Sequence, residues 1–118
     1  MKSEDAVRRL SALAQEARLD VFRLLVKAGP EGLAAGEIAR KLKTAPNTLS
    51  AQLLILSNAG LVRARREGRS IIYDADFGAM AKLLLYLTED CCGGEPQVCA
   101  PLAKIASSCC PSPRRANR

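Results

Sequence analysis

The hydrophobic period changes in the middle of the chain, and this change restricts the possible fold more than any other feature. Residues 46–58 predict a helix, because leucines recur there at i, i+4 and i+7 behind Pro46, which suits a first helical position. These leucines are Leu49, Leu53 and Leu56. A shorter helix is predicted over residues 34–42, and Gly60 is expected to follow the end of the longer one. Two short helices with a short break between them form a helix-turn-helix pattern.

After Gly60 the pattern becomes that of β-structure. Residues 61–66 and 69–74 contain Val, Ile and Tyr with partial alternation, and they flank Glu67-Gly68. This arrangement predicts a β-hairpin with a two-residue X-Gly turn. A helix-turn-helix followed directly by a basic hairpin is a winged helix. The predicted fold class is therefore mainly α with a small β-hairpin (α+β), a winged helix-turn-helix of five helices plus a two-stranded wing.

The other three helices follow from helical spacing of apolar residues at residues 3–14, 16–28 and 77–89. Ser3 is expected to cap the first helix. Residues 31–33 are interpreted as a connector. We predict one folded domain over residues 1–90 and a Cys-rich, largely irregular tail over residues 91–118.

Composition narrows the class of function. The 118 residues carry a net charge of +6 and no His, which removes the commonest general base and every His-containing metal site. No apolar stretch is long enough to span a membrane, and the N-terminus resembles no secretory signal. We therefore expect a cytoplasmic protein that is not an enzyme, has no permanent cofactor and no membrane partner, and binds nucleic acid.

Two groups of residues are predicted to contact double-stranded DNA. When the leucines of helix 46–58 face the core, a polar face points outward and can enter the major groove. That face comprises Asn47, Thr48, Ser50, Ala51 and Gln52. The hairpin arginines can neutralise phosphates or enter a narrow minor groove. They are Arg63, Arg65, Arg66 and Arg69. The alternative is that the helix residues are ordinary solvated side chains.

Several motifs resemble the ArsR/SmtB family of winged-helix metal- and metalloid-responsive repressors. Residues 16–25 are similar to the second helix of that family, and residues 48–63 to its recognition helix and exit. Residues 65–69, followed by Ile72-Tyr73, are close to its wing signature. The resemblance implies a homodimer that binds an inverted-repeat operator and leaves it when an inducer binds.

The resemblance also implies that the first and last helices form the dimer interface. The wide apolar arc of residues 77–89 supports this independently, although an internal core helix is the alternative. The residues expected at the interface are Val7, Leu10, Met80, Leu83, Leu84 and Leu87.

Two departures from the family pattern concern the inducer site. Many arsenic-responsive members carry Cys-x-Cys before the recognition helix, but the matching residues 32–37 contain no Cys. Zinc-responsive members use His and carboxylate ligands on the last helix, and this chain has no His. An inducer site must therefore lie elsewhere.

The cysteines of the tail are the predicted inducer ligands. Trivalent arsenic and antimony favour three sulfurs in a pyramid, which the adjacent Cys91 and Cys92 with Cys99 can supply. Some arsenic-responsive family members carry a similar pair and third Cys. Cys109 and Cys110 are possible auxiliary ligands. The sequence thus predicts a repressor released by As(III) or Sb(III); a soft divalent metal (Cd²⁺, Pb²⁺), oxidant sensing, or a thiol-based metalloid-handling enzyme or chaperone are the alternatives.

Overall fold

The computed structural model describes residues 2–88. The chain divides into two units, Met1–Tyr86 and Leu87–Arg118, and the first is described here. Its elements, in chain order, are α1 (Ser3–Leu13), α2 (Glu16–Ala28), a 3₁₀ turn (Gly29–Glu31), β1 (Leu33–Ala34), α3 (Ala35–Leu42), α4 (Pro46–Asn58), β2 (Val62–Glu67), β3 (Ser70–Ala75) and α5 (Phe77–Leu87). Within the described range, the predicted mainly helical winged fold is confirmed.

Helices α2, α3 and α4 and the base of the wing enclose the core. Leu25 of α2, Ile38 of α3 and Leu56 of α4 are completely buried. The predicted leucine stripe of α4 does face this core, where it packs with Phe22. Because the stripe occupies the inner side of α4, the polar side of that helix is left at the surface.

The end of α4 orients the wing. Gly60 has a φ of +80°, which favours glycine, and its N–H donates to the carbonyl of Ser57 (3.0 Å). The Leu61 N–H donates to the carbonyl of Leu56 (3.1 Å). These two bonds form a Schellman motif, and the buried Leu56 and Leu61 supply its usual apolar residues. The predicted stop at Gly60 is confirmed, and β2 begins directly after it.

The sheet has one strand more than the two-stranded wing that the sequence predicts. Its order is β1-β3-β2, and Leu33 pairs with Tyr73. The sequence pattern assigns Leu33 to a connector and Ala34 to the start of the third helix, because two residues are too few to show a strand period. Gly32 allows the approach: its φ is +72°, and a Cβ there would collide with the Tyr73 carbonyl oxygen.

The hairpin turn lies one residue later than predicted. Glu67 pairs with Ser70, so the loop is Gly68-Arg69 rather than Glu67-Gly68. Gly68 has a φ of +64°, whereas Arg69 has a negative φ. A two-residue loop with glycine first matches a type II′ turn, whose twist suits a hairpin. The strand pairing therefore shifts, and Arg63 lies opposite Asp74.

Ser3 does not cap α1, contrary to the sequence prediction. Lys2 occupies the N-cap position, and no side chain bonds the first turn. The Ser3 hydroxyl instead lies 2.7 Å from the Tyr86 hydroxyl, which joins the start of α1 to α5. Within residues 2–88, no helix is long and apolar enough to cross a membrane.

Candidate nucleic-acid interface

The outer face of α4 presents short polar side chains at its N-terminal half. The structure exposes the predicted residues Asn47, Thr48, Ser50 and Ala51, while Leu49 between them is buried. An asparagine amide can bond adenine in two places, and hydroxyls can bond bases or phosphates. The N-terminal half of α4 therefore has both the shape and the donors that a major groove accepts.

Gln52 is placed differently from its neighbours. The residue is half-buried, and its Oε1 is enclosed without a hydrogen-bond partner among the described residues. An unsatisfied amide oxygen at such a site costs free energy in the folded chain. Gln52 therefore does not offer its complete amide at the surface in this conformation.

The wing arginines fall into two pairs. Arg63 and Arg65 bind Asp74: Arg63 Nε lies 3.2 Å from Oδ1, and Arg65 Nη1 lies 3.0 Å from Oδ2. Asp74 is 5% exposed, the one charged residue in the described range that is buried. The three side chains share a face of the hairpin, because residues 63 and 65 alternate to the same side and residue 74 pairs with residue 63.

Arg65 also makes two further contacts. Its Nε lies 2.7 Å from Glu67 Oε2, and its Nη2 donates to the Glu31 carbonyl at 2.7 Å. The hydrogen bond with Glu67 is the main reason that the pKa of Arg65 lies above its ordinary value. Arg65 thus holds the hairpin against the turn that precedes β1.

Arg66 and Arg69 form the second pair. Both are exposed, and within residues 2–88 neither side chain makes a hydrogen bond or an ion pair. The negative charges of Glu67 and Asp74 offset two of the four positive charges of the hairpin arginines. The charge that remains available for phosphate therefore resides at Arg66 and at the tip residue Arg69.

Sequence reasoning missed Asp74 because of the turn. With the loop at Glu67-Gly68, Arg63 would lie opposite Ile72, and no acid would lie directly opposite an arginine. Placing glycine first in a type II′ loop would have aligned Arg63 with Asp74.

The residues expected at a dimer interface are unequally exposed. Val7 and Leu10 of α1 and Leu84 and Leu87 of α5 are exposed, whereas Met80 is half-buried. Leu83 is 4% exposed, against 52% for Leu84. Leu83 therefore belongs to the interior of a single chain, whereas the exposed apolar side chains of α1 and α5 lie at its surface.

No group of three potential metal-ligating side chains occurs in the part of the chain that the structure describes. The predicted inducer ligands lie outside the described residues. They are Cys91, Cys92, Cys99, Cys109 and Cys110.

Comparison with known proteins identifies the same helix-turn-helix arrangement. A family model described as a helix-turn-helix domain matches residues 13–65. The chain is 35% identical over 80 residues to the nodulation protein NolR of Rhizobium meliloti. That match covers 68% of this chain and 63% of NolR, so the chain spans less than two thirds of that relative.

Two solved structures have a fold similar to that of this chain. An ArsR-like transcriptional regulator from Rhodococcus sp. RHA1 matches this chain with a TM-score of 0.66 and 25% sequence identity. The match covers 89% of this chain and 92% of the Rhodococcus chain. The homodimeric winged helix-turn-helix DNA-binding domain Mb0332 from Mycobacterium bovis, a possible ArsR-family regulator, has a TM-score of 0.60 and 32% identity. That match covers 74% of this chain and 80% of Mb0332.

Proposed function

Because the chain belongs to the ArsR family of winged helix-turn-helix transcriptional regulators, we propose that it is a repressor that binds an inverted-repeat operator in double-stranded DNA as a homodimer. One observation carries the proposal: the unit that exposes the polar first turns of α4 also exposes Arg66 and Arg69 on the hairpin, which have no ion-pair partner among the described residues. A helix of this kind reads base edges in the major groove, and the arginines bind the backbone.

In the proposed complex, α4 enters the major groove with its first two turns. Asn47 is the residue best suited to adenine, and Thr48 and Ser50 reach bases or phosphates. Arg66 and Arg69 contact phosphates, or the minor groove where it is narrow. Arg63 and Arg65 orient the hairpin through Asp74.

The dimer follows from exposed apolar surface. Val7 and Leu10 on α1 and Leu84 on α5 leave large side chains in water, and burying them against a second copy is favourable. Two-fold symmetry then places two α4 helices on successive major grooves, which requires an inverted repeat. Mb0332, which resembles this chain, is homodimeric.

The proposed inducer is As(III) or Sb(III), bound by the thiolates of Cys91, Cys92 and Cys99. The argument is chemical: three soft sulfur donors close in sequence match the three-coordinate preference of these metalloids. The cytoplasm, the expected compartment, keeps thiols reduced. Residues 91 and 92 follow α5 closely in sequence, so occupancy there can alter the dimer and, with it, the spacing of the two α4 helices. Inducer and operator then weaken each other's binding reciprocally, typically by about 1–3 kcal/mol.

A gel shift on the DNA upstream of the protein's own gene tests the proposal. Without inducer the full chain should bind as a dimer, and arsenite or antimonite under strong reductant should release it. Methylarsenite, Cd²⁺ and Zn²⁺ are run in parallel. Release by Cd²⁺ but not arsenite would assign a divalent metal instead, and absence of a specific shift would overturn the DNA-binding proposal.

Cysteine variants locate the inducer site in the same assay. Cys99→Ser should lose most of the arsenite response but keep more of the methylarsenite response, because a methylated arsenical takes only two thiolates. Cys91→Ser and Cys92→Ser should lose both. The Cys109→Ser/Cys110→Ser variant is the matched control, since that pair is auxiliary in the proposal. Full arsenite release from Cys91→Ser/Cys92→Ser would move the site to Cys109 and Cys110.

A further inference from the structure

A groove of about 360 Å³ lies between α2, the end of α1 and α5. Its walls are apolar: α2 contributes Leu19, Phe22 and Val26, and α5 contributes Met80 and Leu84. The volume lies within the usual range of small-molecule sites, about 300–1,000 Å³. Of the described residues that line this groove, only Leu84 is used by the proposed function, where it belongs to the dimer interface.

Two cations stand in the lining of the groove. Arg23 and Lys27 are one helical turn apart on α2, both are exposed, and neither side chain has a hydrogen bond or ion pair within residues 2–88. Among the described residues, no acidic side chain lines the groove. The site therefore combines an apolar channel with an unbalanced positive charge.

We propose that this groove binds a small amphiphilic anion, a medium-chain carboxylate in chemical class. The apolar chain would lie between Phe22 and Met80, and the carboxylate would meet Arg23 and Lys27. The choice of occupant rests on charge complementarity. A neutral apolar ligand would leave the two cations unused, and a cationic amphiphile would be repelled by both.

Such a ligand would contact α2 and α5 together. Since α2 packs in the core against α4, and α5 carries exposed apolar residues, occupancy can change the angle between the helix that reads DNA and the helix that forms the dimer. This consequence, but not the binding itself, rests on the proposed function. The described lining residues include no cysteine, so the groove would be a second effector site that uses side chains other than the proposed thiolate ligands.

Equilibrium dialysis of radiolabelled decanoate against the full chain, below the concentration at which decanoate forms micelles, tests the proposal. Saturable binding of one decanoate per protomer is expected. Octanoate, shorter by two methylenes, should bind more weakly by up to about fifteenfold. Decyltrimethylammonium, of equal chain length and opposite charge, should not compete.

Matched variants separate charge from apolar burial. Arg23→Gln/Lys27→Gln should weaken decanoate binding by about fivefold, whereas Arg40→Gln/Lys41→Gln on α3 should leave it unchanged. Leu19→Gln places an amide in the groove and should weaken binding, while Leu54→Gln, at another exposed leucine on α4, should not. Circular dichroism of each variant checks its fold.

Three results would overturn the proposal: no saturable binding, equal competition by the cationic amphiphile, or full binding to Leu19→Gln. Binding that falls as the chain dimerises in sedimentation runs would assign the groove to a second copy instead. A gel shift without decanoate reports DNA binding on its own, so failure of this site and failure of the proposed repressor are distinguishable.

Discussion

Arg65 of β2 and Asp74 of β3 form an ion pair (Nη1 to Oδ2, 3.0 Å) although they are not opposite each other in the sheet. The pair is diagonal: Arg65 lies opposite Ile72, and Arg63 lies opposite Asp74. Because Arg65 also reaches the Glu31 carbonyl, this contact joins both wing strands to the turn before β1. Arg63 and Arg65, which the sequence predicts to contact DNA, therefore stabilise the wing.

Replacing Asp74 with Asn should lower the free energy of unfolding by about 1–2 kcal/mol, because the buried site loses its negative charge and one of the two oxygens that accept from Arg63 and Arg65. Glu67→Gln, which breaks an exposed pair with the same arginine, should cost less than about 1 kcal/mol. Thermal and urea unfolding monitored by circular dichroism measure both. An equal loss of unfolding free energy in the two variants would contradict the proposal that Asp74 stabilises the wing.

Arg66→Ala and Arg69→Ala should each weaken operator binding and reduce the slope of log K against log salt by about 0.9. Both guanidiniums are exposed, and neither has a hydrogen bond or an ion pair within residues 2–88, so each can replace a counterion on a phosphate. Lys82→Ala, an exposed cation on α5, is the control and should leave the slope unchanged. Titrations at several salt concentrations provide the measurement, and an unaltered slope in both wing variants would remove the wing tip from the interface.

Gln52→Met should maintain or raise the free energy of unfolding. The partly buried amide of Gln52 has an unsatisfied oxygen, and methionine is an apolar side chain of similar length. If Gln52 turns outward to read a base in the complex, the variant should lose about 1–3 kcal/mol of discrimination at one operator position. Unfolding and competition gel shifts with single-base operator variants measure the two effects. A large loss of stability would show that the amide is satisfied in solution.

Leu84→Asp should dissociate the dimer and abolish binding to a two-fold operator, because the new carboxylate would be buried unpaired in the interface. Leu54→Asp, at a similarly exposed leucine on α4, should leave the sedimentation coefficient unchanged. Leu83→Asp should instead unfold the chain, since that side chain is already inside. A wild-type chain that sediments as a monomer at micromolar concentration would contradict the proposed interface.

Local signals were enough to predict the two central helices. The bounds of α2 follow from its apolar spacing and Gly29-Pro30, and those of α4 from Pro46 and Gly60. These signals act within a few residues, through backbone angles and hydrogen bonds that are the same in any fold. The outward face of α4 followed from them, because burying its leucine stripe leaves one orientation for the polar side.

Contacts between distant residues decided the rest. The sequence by itself determined the winged helix-turn-helix class and the positions of α4 and the basic hairpin, since each depends on short-range periodicity. Only the tertiary structure decided that β1 joins the sheet and that Asp74 forms ion pairs with two of the four hairpin arginines. It also decided that Leu83 is buried whereas Leu84 is exposed. The physical reason is that register and burial depend on which segments meet in space, and a one-residue change in a turn alters every cross-strand pair.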